Sequence, residues 1–390
     1  MNMNRRIITA IFLITITSIS NSYADTIKVT SSSILLNIDA RSTLKARSNN
    51  TIDYANAIPL DVPIPFSIND TSVDTINSFT DVQVKFDGPP TGQPGSKGNG
   101  KQTPVFVGAK INHSSEAITP MAYGTSNQPF TTARADLSSP TNTMYPYRAT
   151  GKLFFKKGNT TYMCSASLIK KGLILTAAHC VSSYGTKTLY TNFQFIPGYR
   201  NGVGPYGKWS ASKVIVLTSY YTGKPGSTCY SGVICKDDVA LITVAPQLAK
   251  YPGTQTGYYG YGMNGYGFTT AGDTHITQLG YPGTLDNGEY MEITNSIGFI
   301  ATEALNNTII GSNMGEGSSG GPWIINFGYR PTLTGAGTPS GYSENIVVGV
   351  TSWAYTTNKD VMQMGASPFL SENLGALITS ACSNQYAGCL

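Results

Sequence analysis

Charge is scarce in this sequence: Asp, Glu, Lys and Arg make up 12% of its residues, with a formal net charge of +5. The cations form no run and no cluster, so the chain offers no electrostatic footprint for nucleic acid and carries none of its binding modules. Histidine is scarcer still, three in 390 residues, and the six cysteines are scattered without a Cys-x-x-Cys pair. A metal centre is therefore not expected, and no motif calls for a cofactor. Long apolar runs are also missing. Ile7 to Ile19 is shorter than the roughly 20 residues that cross a bilayer, and Thr15, Thr17 and Ser18 interrupt it, so stable membrane insertion is not expected. Convincing helical periodicity is almost absent.

What is present begins with an export signal. Arg5 and Arg6 precede the Ile7 to Ile19 run, and Ser22-Tyr23-Ala24 supplies small residues about a cut, which predicts a secretory signal peptide over 1–24 with cleavage near Ala24. Outside the cytosol cysteines persist as disulfides. Residues 25–120 hold short apolar stretches, Ile34-Leu35-Leu36 and Val82-Gln83-Val84, among many polar ones, and Asp87 to Gly100 has the Gly/Pro composition of a linker. That placement reads as a pro-region; an attached binding or stability module is the alternative. From residue 121 to 390 short strands alternate with Gly, Pro and Asn, which predicts an all-β domain. Pro368 to Ser380 is expected to contain a short helix. The tyrosine-rich Gly257 to Gly262 reads as turns and loops of such a domain rather than as a stacking surface.

Three stretches carry chemistry. In Gly315-Glu316-Gly317-Ser318-Ser319-Gly320-Gly321-Pro322-Trp323, Ser319 is the candidate nucleophile. A serine hydroxyl needs a base to take its proton, and the oxyanion it creates needs preplaced donors. The N–H groups of Gly317 and Ser319 can supply those donors because glycine allows the backbone to turn sharply there. Leu173 to Cys180 is an apolar strand that ends by presenting His179, and Asp237-Asp238 heads the β-branched strand Val239 to Val244. Either aspartate can serve as the partner of the imidazole.

Thr-Ala-Ala-His-Cys at 176–180, Asp-Val-Ala-Leu at 238–241 and Gly-x-Ser-Gly-Gly-Pro at 317–322 stand in the order found in trypsin/chymotrypsin-like serine endopeptidases, which this chain resembles over residues 121–390. The run Tyr145 to Phe155 resembles the opening of secreted bacterial members, including the glutamyl-endopeptidase-like (V8-like) branch. The resemblance implies two six-stranded antiparallel β-barrels with a short C-terminal helix and a site in the crevice between them. It also implies a His179, Asp238, Ser319 triad acting through an acyl-enzyme on protein or peptide substrates. Asp238 matches the family pattern, leaving Asp237 as the extra residue. Cys164 and Cys180 stand where family members bridge the histidine loop; Cys229 with Cys235 and Cys382 with Cys389 are then paired by proximity. The pro-region is expected to inhibit its own peptidase domain, and a monomer is expected.

Departures from the family pattern bear on specificity and activation. Ser318 replaces the aspartate that in trypsin-like members receives a new N-terminus, which favours a steric brake. Asn313 stands six residues before the nucleophile, at the floor of the primary pocket, so a Lys or Arg side chain would lack its buried counter-charge. Thr351 occupies the place of the histidine of glutamate-specific relatives, and Ala354 replaces a common glycine. A neutral P1 side chain, polar or of medium apolar size, follows. Ser352, Trp353 and Ala354 are expected to pair with an extended substrate. The rival classes are a catalytically silent binding protein, which would have lost a triad member, and an esterase, whose Gly-x-Ser-x-Gly elbow needs a parallel-sheet context with Ser before His in the chain, neither of which is here.

Overall fold

Short runs of β-branched and aromatic residues, cut by Gly, Asn and Pro turns, favour strands over helices along most of this chain. The structure, a computed structural model, describes residues 28–30, 33–39, 51–63, 86–102, 105–108, 122–123, 129–135, 141–223, 236–301, 307–328, 343–354 and 362–390. The expected signal peptide and the expected Cys229–Cys235 pair lie outside them.

The first barrel consists of β1 (Thr150–Lys157), β2 (Thr160–Lys170), β3 (Leu173–Thr176), β4 (Thr191–Pro197), β5 (Trp209–Leu217) and β6 (Ala240–Val244). The hydrogen-bonded ring runs β1-β2-β3-β6-β5-β4 and closes on β1, every pairing antiparallel. The second barrel consists of β7 (Asp273–Gly280), β8 (Glu292–Ala301), β9 (Asn307–Gly311), β10 (Pro322–Ile325), β11 (Ile346–Ala354) and β12 (Gln363–Ala366). Its ring is β7-β8-β9-β12-β11-β10, closing on β7. The two windings are the same, offset by six strands. Closure removes the exposed edges that a flat sheet would present. Leu153, Phe155, Leu168, Ile174 and Leu241 are buried in the first core, and Ile276, Ile310, Trp323, Ile346 and Met364 in the second.

Segments ahead of residue 141 lie on this frame. Phe130–Arg134 extends the second sheet beside β8. Thr91–Gln93 pairs with Gly260–Met263, which itself runs parallel to β11. The stretch with linker composition is thus laid along the second barrel, and its glycines serve close approach. A Cβ on Gly95 would fall 2.5 Å from the backbone nitrogen of Gly260, and Gly98 adopts φ +64° against Gly257.

The short helix Ala376–Ala381 follows the last strand of the second barrel, yet Leu374 and Leu377 are buried in the first core. Beyond it the Cys382–Cys389 disulfide folds the chain back, and the Tyr386 hydroxyl donates to the first barrel at a site offering the carbonyls of Gly172 and Val244. The Cys164–Cys180 disulfide joins β2 to the turn after β3. Both expected pairings are present.

The barrels meet over a buried polar seam. Lys152 on β1 reaches Glu289 between β7 and β8 at 2.8 Å, both side chains almost without exposure, and the Tyr199 hydroxyl donates to the other Glu289 oxygen at 2.6 Å. Burial pushes the Lys152 ammonium below its ordinary range, against the opposing pull of Glu289, and burial followed by Glu289 pushes the Tyr199 phenol up. Removing one partner leaves the other charge buried alone. Glu289→Gln is expected to cost about 3–5 kcal/mol in urea unfolding, and adding Lys152→Met to it to recover part of the loss.

Candidate active site

Ser319 sits on the turn that leads into β10, with Gly317 at φ +85° and Gly320 at φ +77° on either side, backbone that L side chains rarely adopt. A Cβ at Gly317 would lie 2.8 Å from the Tyr281 carbonyl, and one at Gly320 2.0 Å from Thr176 Oγ1. The second clash locates the turn: the Ser319 loop of the second barrel is pressed against the end of β3, three residues before His179.

Ser165 on β2 fastens this contact. Its N–H donates to the Ser319 carbonyl at 2.8 Å, its hydroxyl donates to the Gly317 carbonyl at 2.9 Å, and its Oγ accepts the Tyr281 N–H at 2.9 Å. Its own carbonyl accepts the Thr176 hydroxyl. On the other side the Gly320 N–H donates to the Thr351 carbonyl on β11 at 2.8 Å. The loop is thus hydrogen-bonded from two strands, β2 and β11.

Asp238 faces the histidine. Its Oδ1 accepts the His179 backbone N–H at 2.8 Å, its Oδ2 lies 2.8 Å from His179 Nδ1, and the Ser352 hydroxyl donates to that Oδ2 at 2.5 Å. Asp237 turns the other way and accepts from the Ser219 hydroxyl at 2.5 Å. Burial, partly offset by that bond, raises its carboxyl above the usual range. Ser319 has no solvent exposure and His179 is 6% exposed; Ser319 Oγ and His179 Nε2 are both buried without a hydrogen-bond partner, so they are not bonded to each other.

The residues expected to bind substrate divide by strand sidedness. The Thr351 hydroxyl points into the second barrel, where it accepts from Gln278 Nε2 at 2.8 Å and Trp323 Nε1 at 2.9 Å. Ser352 points the opposite way, to Asp238. Trp353 is fully buried and donates to Asn307 Oδ1 at 3.3 Å, while the Ala354 N–H faces the crevice and meets the Pro63 carbonyl at 3.0 Å. Asn313 Oδ1 is buried without a partner, as are both amide atoms of Gln363 on β12. The Ser318 hydroxyl donates to the Gly315 carbonyl at 2.7 Å within its own loop. The site functions of Ser165 and of the Ser352 side chain were not among the expectations. Their one signal was a small polar residue interrupting an otherwise apolar strand.

Two like-wound six-stranded antiparallel barrels, with a glycine-flanked serine at their junction, make this a chymotrypsin-like fold. The family model described as Trypsin matches residues 139–366, more than half of the sequence, and the chain belongs to the trypsin family. An extracellular metalloprotease of Bacillus subtilis (strain 168) is 30% identical over 135 residues, 34% of this chain and 37% of that relative, so the chain matches little more than a third of its length. Among solved structures, the protease Anisep from Arthrobacter nicotinovorans is 24% identical over 62% of this chain and 96% of its own, with a TM-score of 0.46. The thermostable serine protease AL20 from an extremophilic microorganism is 21% identical over 62% and 97%, and a Glu endopeptidase 17% identical over 68% and 99%, each also at 0.46.

Ser165→Ala would leave the Gly317 carbonyl and the Tyr281 N–H without their partner in a buried setting. An expected cost of about 1–3 kcal/mol for each follows, read from urea unfolding.

Proposed function

We propose that this chain is an exported serine endopeptidase, made as a precursor, that cleaves peptide bonds through His179, Asp238 and Ser319. The observation that carries the reading is the grip on His179: one carboxylate accepts both its backbone N–H and its Nδ1, and a third donor, Ser352, fixes that carboxylate. An ionised carboxylate only accepts, so Nδ1 carries the ring proton and Nε2 is left as the base. His179 Nε2 takes the Ser319 proton as Oγ attacks the scissile carbonyl, and the charge on the oxyanion falls to the N–H of Gly317 and Ser319. The C–N bond then breaks, Nε2 gives its proton to the leaving amine, and water releases the acyl group by the same steps in reverse. The Ser319–His179 hydrogen bond, unmade in this structure, is one that tightens with substrate in place.

Export is supported by the Arg5 to Ala24 pattern and by the two disulfides. Among the described residues no three His, Cys, Asp or Glu side chains gather as metal ligands. Asn313, at the place the resemblance gives to the floor of the primary pocket, is a buried amide and not a carboxylate, which favours a neutral P1 side chain.

Ser319→Ala is expected to lower kcat by on the order of 10⁴-fold or more with the fold retained, and to abolish labelling by a fluorophosphonate. Unchanged hydrolysis in that variant would remove the triad from the mechanism. A peptide series varied only at P1 is expected to favour neutral side chains; a preference of about 100-fold for Arg or Lys would contradict the pocket assignment.

A further inference from the structure

The crevice is not open. Residues 51–63 cross it, and their contacts define a peptide-binding groove together with the direction of its occupant. Asp53 N–H donates to Thr161 Oγ1 at 3.2 Å, and Tyr54 packs edge-on to Phe154, ring centroids 5.1 Å apart, which anchors the segment on the first barrel. Ile58–Pro59 then pairs with Tyr162 and Met163 of β2 in parallel, and the Leu60 N–H donates to the Met163 carbonyl at 2.9 Å. The Leu60 carbonyl accepts the Gly317 N–H at 3.0 Å, the donor assigned above to the oxyanion. Three residues later the Pro63 carbonyl accepts the Ala354 N–H on β11. Leu60 is buried in the first core cluster and Val62 in the second, at 6% and 3% exposure.

A substrate must run the other way. His179 delivers a proton to the leaving amine, and it stands on the first barrel, tied by the Cys164–Cys180 disulfide to the residue after Met163. The leaving half of a substrate therefore lies along Met163 and its acyl half along Ser352 to Ala354, so that a productive chain passes from Ala354 towards Met163. Residues 58–63 pass from Met163 towards Ala354. If Ser319 attacked the Leu60 carbonyl, the amine of Asp61 would leave on the second-barrel side, away from His179 Nε2, and would stay anchored there to re-form the bond. Pro59 and Pro63 hold the strand extended and carry no N–H that would need an acceptor in the groove.

We propose that the groove binds Ile58–Pro63 of its own chain in the direction opposite to a substrate, so that the segment occupies the Gly317 donor and both barrel edges without being cleaved. This rests on the assignment of Ser319 as nucleophile and deepens it by naming what regulates the site. Tethering places the segment at an effective concentration on the order of a millimolar, so three backbone hydrogen bonds and two apolar side chains suffice to keep the crevice closed.

The test uses the full chain and a fluorophosphonate probe, with labelled Ser319 measured by peptide mass. Leu60→Asp puts a charge into the apolar part of the contact and is expected to raise the labelling rate at least about tenfold over wild type. Val62→Ser, a milder change, serves should the first variant fail to fold by circular dichroism. Wild type and folded variants labelling equally fast at Ser319 would overturn the plug while leaving the nucleophile in place. No labelling in any folded variant would instead overturn the nucleophile and the plug with it. The direction has its own readout: the Leu60–Asp61 bond is expected to stay intact in wild type on prolonged incubation, and a cut there that vanishes in Ser319→Ala would show a substrate-like orientation and refute the reversal.

Discussion

One buried hydroxyl group organises the junction of the two barrels. Ser165 belongs to the first, yet it binds the backbone of Gly317, Ser319 and Tyr281 in the second, using its amide, its proton and its lone pair at once. The amide, hydroxyl proton and hydroxyl lone pair of Ser165 all find partners there, which is what makes its polar contact tolerable at zero exposure. The turn at Ser319, the Gly317 backbone and the approach to β3 all inherit their position from it. The Lys152–Glu289–Tyr199 group repeats the principle a short distance away with charges in place of a hydroxyl, and there the desolvation cost is larger and the demand for complete pairing stricter.

The chemistry assigned to the site follows from the same junction. Neither barrel holds a complete set: His179 and Asp238 come with the first, Ser319 and Gly317 with the second. Ser352 adds a link across the gap, since it lies on β11 of the second barrel and bonds the carboxylate of the first. The segment 58–63 reads as an extension of this arrangement, because it too touches both halves and uses backbone groups that a substrate would otherwise meet. Its direction is what separates an inhibitor from a substrate here.

Much of the fold was legible in the residues. Short strands cut by Gly, Pro and Asn and the near absence of helical periodicity pointed to an all-β domain, the two barrels came with the family resemblance, and two of the motifs marked His179 and Asp238, which are hydrogen-bonded. Sidedness was less legible. Thr351, Ser352 and Trp353 read as one substrate-binding edge, but a strand alternates its faces, so Thr351 enters the second core and Ser352 turns to Asp238. The choice between Asp237 and Asp238 is of the same kind, one step of backbone deciding which carboxylate sees the imidazole. Ser165 carried no signal beyond its size because its partners lie more than a hundred residues away. Nothing local in residues 58–63 says what they lie against.

The fastening of the C-terminal helix has a consequence for the order of assembly. Leu374, Leu377 and Tyr386 complete the wall of the first barrel, although they follow every strand of the second in the chain. A ribosome delivering residues in order makes all six strands of the first barrel early and then supplies the pieces that seal it only after the second has been made. The half that starts first is finished last, so a nascent chain halted anywhere between β6 and β12 carries an unsealed apolar seam in need of a holdase.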